Sequence, residues 1–187
     1  MVKCMETLYG KNKRHLSYSA WSLWLQNPAL YRQRYYDGGK SIETTATRFG
    51  KNIHELIAKN EVELKDVPRY SHAEYKIETH INDIPILAYL DSYNPETRSF
   101  LEFKTGSVSK TYGPPWTFLK VRKHQQLPFY SLLIETIERS VDPWTKLVWI
   151  ETRYKQKEVD WAGESFAVQY PDLELTGRVE IFPRRIA

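Results

Sequence analysis

Apolar positions along this chain change period several times, and each change marks an element. Ala46, Phe49, Ile53, Leu56 and Ile57 recur at steps of three and four, which predicts an amphipathic helix from about Ile42 to Asn60. Upstream, Ser17 or Ser19 can cap a helix running through Leu25. Asn27-Pro28 then supplies a second cap with a first-turn proline for a helix through about Tyr36, ended by Asp37-Gly38-Gly39. After residue 70 the period falls to two. A strand near Ala73 to Ile81, a turn at Asn82-Asp83 and a run in which Ile84, Ile86, Ala88 and Leu90 alternate with Leu87, Tyr89 and Asp91 predict a hairpin. The turn chemistry of Asn94-Pro95-Glu96-Thr97 leads into a third strand ending at Thr105-Gly106, which completes a three-stranded meander.

The second half continues with a loop from Ser107 to Pro115, rich in Gly, Pro and Ser. A helix from roughly Thr117 to Arg139 follows, kinked or split by Pro128. Lys146 to Arg153 alternates and is apolar enough for a central strand, while Phe166 to Tyr170 and Leu175 to Phe182 read as peripheral strands. This order predicts an α/β fold, a single domain with a mixed central β-sheet flanked by helices. The core is expected over about 17–153, with peripheral strands over 154–187.

The third strand carries the chemistry. Glu102 and Lys104 are two residues apart and so share a face, with Leu101 and Phe103 turned to the opposite, buried one. If the second and third strands pair, Asp91 and Glu102 converge. Two carboxylates brought together repel unless a proton or a cation lies between them, and hard oxygen ligands suit Mg²⁺ or Mn²⁺. The Lys104 ammonium beside them can orient a water or meet developing charge on phosphorus oxygens. The competing reading of an isolated acid-x-lysine triplet is a solvated ion pair on a strand edge. Charges interleaved with Leu101 and Phe103 just before Thr105-Gly106 favour a strand that leaves the core and displays chemistry at its end.

Composition narrows the class. At 187 residues, 41% hydrophobic and 27% charged, with mean hydropathy of -0.58, the chain fits one soluble domain with a real core. No apolar run approaches the roughly 18 residues of a membrane span, and the amino terminus lacks the apolar stretch of a secretory signal. Cys4 is the sole cysteine, so an intramolecular disulfide and a thiolate cluster are both excluded and a cytoplasmic setting is expected. The net charge of +4 is unevenly spread. Residues 103–134 contain Lys104, Lys110, Lys120, Arg122 and Lys123 and no acid, and residues 1–36 carry six basic side chains against Glu6. Tyr18, Trp21, Trp24, Tyr31, Tyr35, Tyr36, Tyr112 and Trp116 lie among them. Basic and aromatic side chains together suit a polyanion with stackable bases, although a solvated basic face over an aromatic core would give the same pattern.

This series of elements and charges resembles the PD-(D/E)XK nuclease superfamily, and within it the RecB/Cas4-like exonuclease branch. Beyond the Asp91…Glu102-x-Lys104 core, three features carry the resemblance. One is Gly50-x-x-x-His54: His54 alone reads as a structural histidine at the margin of an apolar stripe, and the resemblance implies a metal ligand. The second is Gln126-Leu127-x-x-Tyr130, implied to act at the catalytic site, with Gln125 a competing assignment. The third is the opening segment Ser17-x-Ser19 through Asn27-Pro28 to Tyr31 and Tyr35. The chain departs from the branch in having Asn27 where cysteine is usual and no carboxy-terminal cysteines, so an iron-sulfur cluster is excluded.

The resemblance implies a restriction-endonuclease-like core and a metal-dependent DNA exonuclease of recombination, repair or phage replication, in a bacterial or phage-infected cell. Lys104, Glu102, Asp91, Gln126 and Tyr130 would be catalytic. His54, Asp91, Glu102 and the carbonyl of Phe103 would hold Mg²⁺ or Mn²⁺. Ser19, Lys110, Lys120, Arg122 and Lys123 would bind DNA with a free or single-stranded end, with no membrane involved and a recombination or replication protein as a possible partner. The alternatives are a structure-specific or restriction-type endonuclease on the same fold, a catalytically silent nucleic-acid-binding module, and a small protein-interaction domain whose charges are solvated.

Overall fold

The computed structural model describes residues 15–39, 43–60, 64, 66–161 and 164–186, with backbone alone for 157–161 and 164–171. The chain opens with α1 (Tyr18–Gln26) and α2 (Pro28–Tyr35). Ser17, not Ser19, caps α1 by accepting from the Ala20 N–H at 3.3 Å, and the Asn27 side chain accepts from the Leu30 N–H at 3.0 Å, with Pro28 in the first turn where an N–H is not needed. Helix α3 (Thr45–Ala58) is capped by Thr44, so its described start lies three residues inside the expected one. Then come β1 (His72–Ile81), β2 (Ile84–Asn94) and β3 (Ser99–Gly106). Asn82 and Asp83, with φ of 48° and 64°, form the two-residue turn that the right-handed twist of a hairpin favours.

The expected helix over residues 117–139 is split, but not at Pro128. It breaks at His124-Gln125 into α4 (Phe118–Lys123) and α5 (Gln126–Glu138), which leaves Pro128 in the first turn of α5, where its missing donor removes no helical bond. Strand β4 (Trp144–Trp161) is followed by β5 (Glu164–Arg185). The two peripheral strands expected over 166–182 are therefore one continuous strand, paired with β4 along its length. Register shifts between Ile150 and Thr152 and between Tyr154 and Gln156 accommodate the residues that read as breaks in the sequence.

The sheet has the order β1-β2-β3-β4-β5, with β3 parallel to β4 and every other neighbour antiparallel. This is the expected single α/β domain with a mixed sheet. Side-chain alternation divides the core into two layers. Phe100, Leu147 and Trp149 face α4 and α5, packing with Val121, Leu127, Tyr130, Leu133 and Ile134. Leu101, Phe103, Val148 and Ile150 face the other way, against Ile53 and Ile57 of α3. Strand β3 is thus covered on both faces, and Glu102, expected on an open face, is buried at 3% side-chain exposure. The sequence pattern underestimates this burial because the helices that cover the Glu102 face, α4 and α5, come only after the loop that follows β3.

Candidate metal centre

The β2–β3 ladder runs through Asn94↔Ser99, Tyr93↔Phe100 and Ser92↔Leu101 and stops there. One further step of this register sets Asp91 opposite Glu102. Two residues beyond Leu101, the Phe103 N–H is taken at 2.6 Å by the Asp91 carboxylate in place of a strand carbonyl. The strands part at this point, and Asp91 caps the opening.

Three further elements bring side chains to the same place. Helix α3 lies close to β3 because residue 50 is glycine: a Cβ there would stand 3.0 Å from the Thr105 hydroxyl. One turn later, His54 Nδ1 sits 3.4 Å from Asp91 Oδ1. From the other side, the β1–β2 register of Ala73↔Ser92 and Tyr75↔Leu90 sets Glu74 across from Asp91. Glu74 holds φ of 49°, the left-handed region that a non-glycine residue in a strand adopts only under constraint. Ligand atoms of His54, Glu74 and Asp91 all lie within 4.8 Å of one another. His54 and Glu74 also line a cavity of about 500 Å³ with Lys51, Glu55 and Lys59.

On the α5 side, Lys104 Nζ donates to Glu102 Oε1 at 2.6 Å and to Gln126 Oε1 at 3.0 Å. The Gln126 amide in turn donates to the Tyr130 hydroxyl at 2.9 Å. Gln126 therefore occupies the position for which Gln125 competed; the Gln125 side chain turns back to the carbonyl of Lys123. Glu102 Oε2 is buried and has no hydrogen-bond partner among the described residues.

The electrostatics follow from burial and crowding. Burial, and then the Asp91 charge, pushes the Glu102 carboxyl up to about 8 despite the opposing Lys104 and His54. Burial works against a charged Lys104, but the adjoining Glu102 carboxylate and then Asp91 outweigh it and hold the ammonium above its ordinary value. The same contest, won by the hydrogen bond and charge of Asp91, raises His54. Glu74 is raised by burial and by Asp91. Burial also drives the Tyr130 phenol upward. The clustered ligand atoms of His54, Glu74 and Asp91, with the Glu102 carboxyl near enough for the charges of Asp91 and His54 to bear on it, make a donor set that a hard divalent cation would fit.

Of the residues singled out in the sequence, Asp91, Glu102, Lys104, His54, Gln126 and Tyr130 come together here. The backbone of Phe103 joins them through its N–H. Glu74 was not foreseen; it belongs to the charged alternation of β1, and only register and backbone conformation reveal it. Glu102 stands outside the three-residue ligand group, held instead by Lys104. Ser19, Lys110, Lys120, Arg122 and Lys123 are exposed, and among the described residues none joins the hydrogen-bonded cluster. The aromatic residues of the opening helices are largely packed: Tyr18 leans on Phe129 and Tyr130, Trp21 stacks on Phe129 at 5.6 Å, and Tyr31 is buried, whereas Trp24 and Tyr112 face outward.

No protein-family model and no curated protein matches the chain. Among solved structures, it is similar to a protein from Eubacterium rectale named "putative exonuclease", with a TM-score of 0.52 and 11% identity, over 86% of this chain and 74% of that one. At that identity the likeness establishes a shared fold.

Proposed function

We propose that this chain is a metal-dependent nuclease that hydrolyses phosphodiester bonds of DNA, working from a free end. The observation that carries the reading is the parting of β2 and β3 at Asp91, which sets Asp91 among the ligand atoms of His54 and Glu74, with the Glu102–Lys104 pair alongside. The fold shared with a protein named as an exonuclease supports it.

In this reading Asp91, Glu102, His54 and Glu74 hold Mg²⁺ or Mn²⁺, chosen by the predominance of carboxylate oxygens. Bound there, such a cation lowers the pKa of a water and offsets charge on the scissile phosphate. Lys104 has three ammonium protons; two are committed to Glu102 and Gln126, which fixes the direction of the third toward a phosphate oxygen or the attacking water. Lys104 can only donate and so draws the Gln126 amide oxygen, which turns the amide nitrogen to donate to the Tyr130 hydroxyl.

End-labelled linear DNA and covalently closed circular DNA, each incubated with and without Mg²⁺, test this. Metal-dependent loss of the linear substrate alone is the expected result. Cleavage of the circle would make the enzyme an endonuclease, and an intact linear substrate would refute the proposal. Lys104→Ala should slow hydrolysis about 100- to 1,000-fold while a Mn²⁺ titration by calorimetry stays close to the parent's.

A further inference from the structure

The loop between β3 and α4 ends in an outward tyrosine that nothing in the metal centre uses. Tyr112 is 85% exposed, the most solvent-open of the large apolar side chains among the described residues. Its backbone is nevertheless built rather than loose. Ser109 and Gly113 exchange N–H···O bonds of 2.9 Å in both directions, and the Ser109 hydroxyl accepts from the N–H groups of Thr111 and Tyr112 at 3.2 and 3.1 Å. Gly113 closes the turn with φ of 68°, a conformation that suits glycine. At the root, Gly106 lies so close to Pro115 that a Cβ would meet the ring at 2.9 Å, and the Trp149 indole donates to the Gly106 carbonyl at 3.0 Å. Lys120 Nζ holds the Pro114 carbonyl at 3.2 Å.

A ring carried on a braced tip and left 85% exposed loses little further backbone freedom when a flat partner covers it. Its surroundings favour an anionic partner. Lys110 is two residues away on the same tip, and Lys120 anchors the returning strand of the loop. A groove of about 800 Å³ opens beside the loop, between Ser107, Lys110 and the β4–β5 hairpin. It starts where β3 ends, just past the Glu102–Lys104 pair. Of the acids in it, Glu174 pairs with Arg153 at 2.7 Å, and Glu151 accepts from the Thr176 hydroxyl at 2.8 Å with Arg178, which it shares with Glu180, at 4.0 Å.

We propose that Tyr112 is a stacking platform for one unpaired nucleobase, holding a single strand that crosses this loop on its way to or from the β3 site. The proposal rests on the nuclease reading and specifies its substrate as a single-stranded end. A paired base inside a duplex has no free face to offer, whereas any unpaired base does, so the platform selects for strandedness and not for sequence.

Fluorescence anisotropy of the full chain in chelator, with a labelled oligothymidylate and an abasic strand of equal length, tests the platform without cleavage. The parent should bind the base-bearing strand about fivefold more tightly or better, the effect of one aromatic stack. Tyr112→Ala should erase that difference while leaving the abasic strand's affinity unchanged, and Tyr112→Trp should keep it. A parent that binds both strands equally, or a Tyr112→Ala variant that retains the preference, overturns the platform and leaves the nuclease reading standing. A parent that binds neither strand also overturns the platform, and the linear-DNA assay with Mg²⁺ decides the nuclease reading separately.

Discussion

Replacing Glu102 by glutamine should make the metal-free protein more stable at neutral pH while ending turnover. Burial and the Asp91 charge raise the carboxyl from 4.5 to about 8 in the folded protein. A folded value above the unfolded one means that the stability contributed by this group is complete below pH 4.5 and is lost as pH climbs toward 8. Each pH unit in that window removes about 1.4 kcal/mol. By pH 7 the acid therefore costs roughly 3 kcal/mol relative to its protonated form, and at 3% side-chain exposure solvent screens little of it. Glutamine keeps the shape and an acceptor for Lys104 but weakens the 2.6 Å charge-assisted bond. That loss is about 1–2 kcal/mol. The net gain at pH 7 is about 1–2 kcal/mol, or a rise in Tm of roughly 2–8 °C for a chain of this length. Thermal or urea unfolding in chelator at pH 5, 7 and 8 measures it. The advantage of Glu102→Gln must widen with pH and vanish or reverse at pH 5; curves running parallel to the parent's across that range would refute the argument.

Glu74→Gly should unfold no earlier than the parent, because glycine adopts φ of 49° without the roughly 1–2 kcal/mol that a side chain costs there, yet its Mn²⁺ affinity should fall about tenfold or more. Parental affinity in a calorimetric titration would remove Glu74 from the ligand set. His124 gives a prediction of opposite sign in pH. Burial first, then the charges of Lys104 and Arg184, lowers its imidazole from 6.5 to about 4, and its Nδ1 is buried without a partner among the described residues. The unfolded chain takes the proton first, so the stability this ring contributes is whole above pH 6.5 and is lost as pH falls toward 4. The full shift would be worth roughly 3 kcal/mol, reduced to about 1–2 because the ring is partly exposed. His124→Phe should flatten the acid limb of a plot of denaturation midpoint against pH, and an unchanged slope would exclude His124 as its source.

What was readable in the sequence was local. Period-two alternation and the Asn94 turn mark β2 and β3, and the Asn94 side chain does accept from the N–H groups of Glu96 and Thr97. The spacing Gly50-x-x-x-His54 and the pair Gln126 and Tyr130 are likewise helical offsets that survive in the fold. What escaped depended on distant partners. Nothing near Glu74 distinguishes it from the other charges of β1; its importance comes from a register with β2 and a backbone torsion. Glu102 looked solvent-facing because α4 and α5, which cover its face of the sheet, lie beyond the loop that follows β3. The aromatic residues could not be sorted by composition, since Trp21 and Tyr112 differ only in whether α5 happens to lie across them. The long β5 was hidden because Pro171 and Gly177 look like stops, whereas pairing with β4 continues past both with shifts of register.

Because the Asp91 carboxylate stands in for a strand carbonyl, one atom group finishes the sheet and, in the proposed nuclease, equips its rim for chemistry. An alanine there would confound two losses, leaving the Phe103 amide hydrogen stranded as well as emptying the rim. Asparagine, whose amide oxygen can still receive that hydrogen, is the cleaner inert version for trapping a bound strand. For the same reason a lineage that abandoned turnover would keep an oxygen-bearing side chain at this spot, so its persistence in a descendant would report on architecture before it reported on activity.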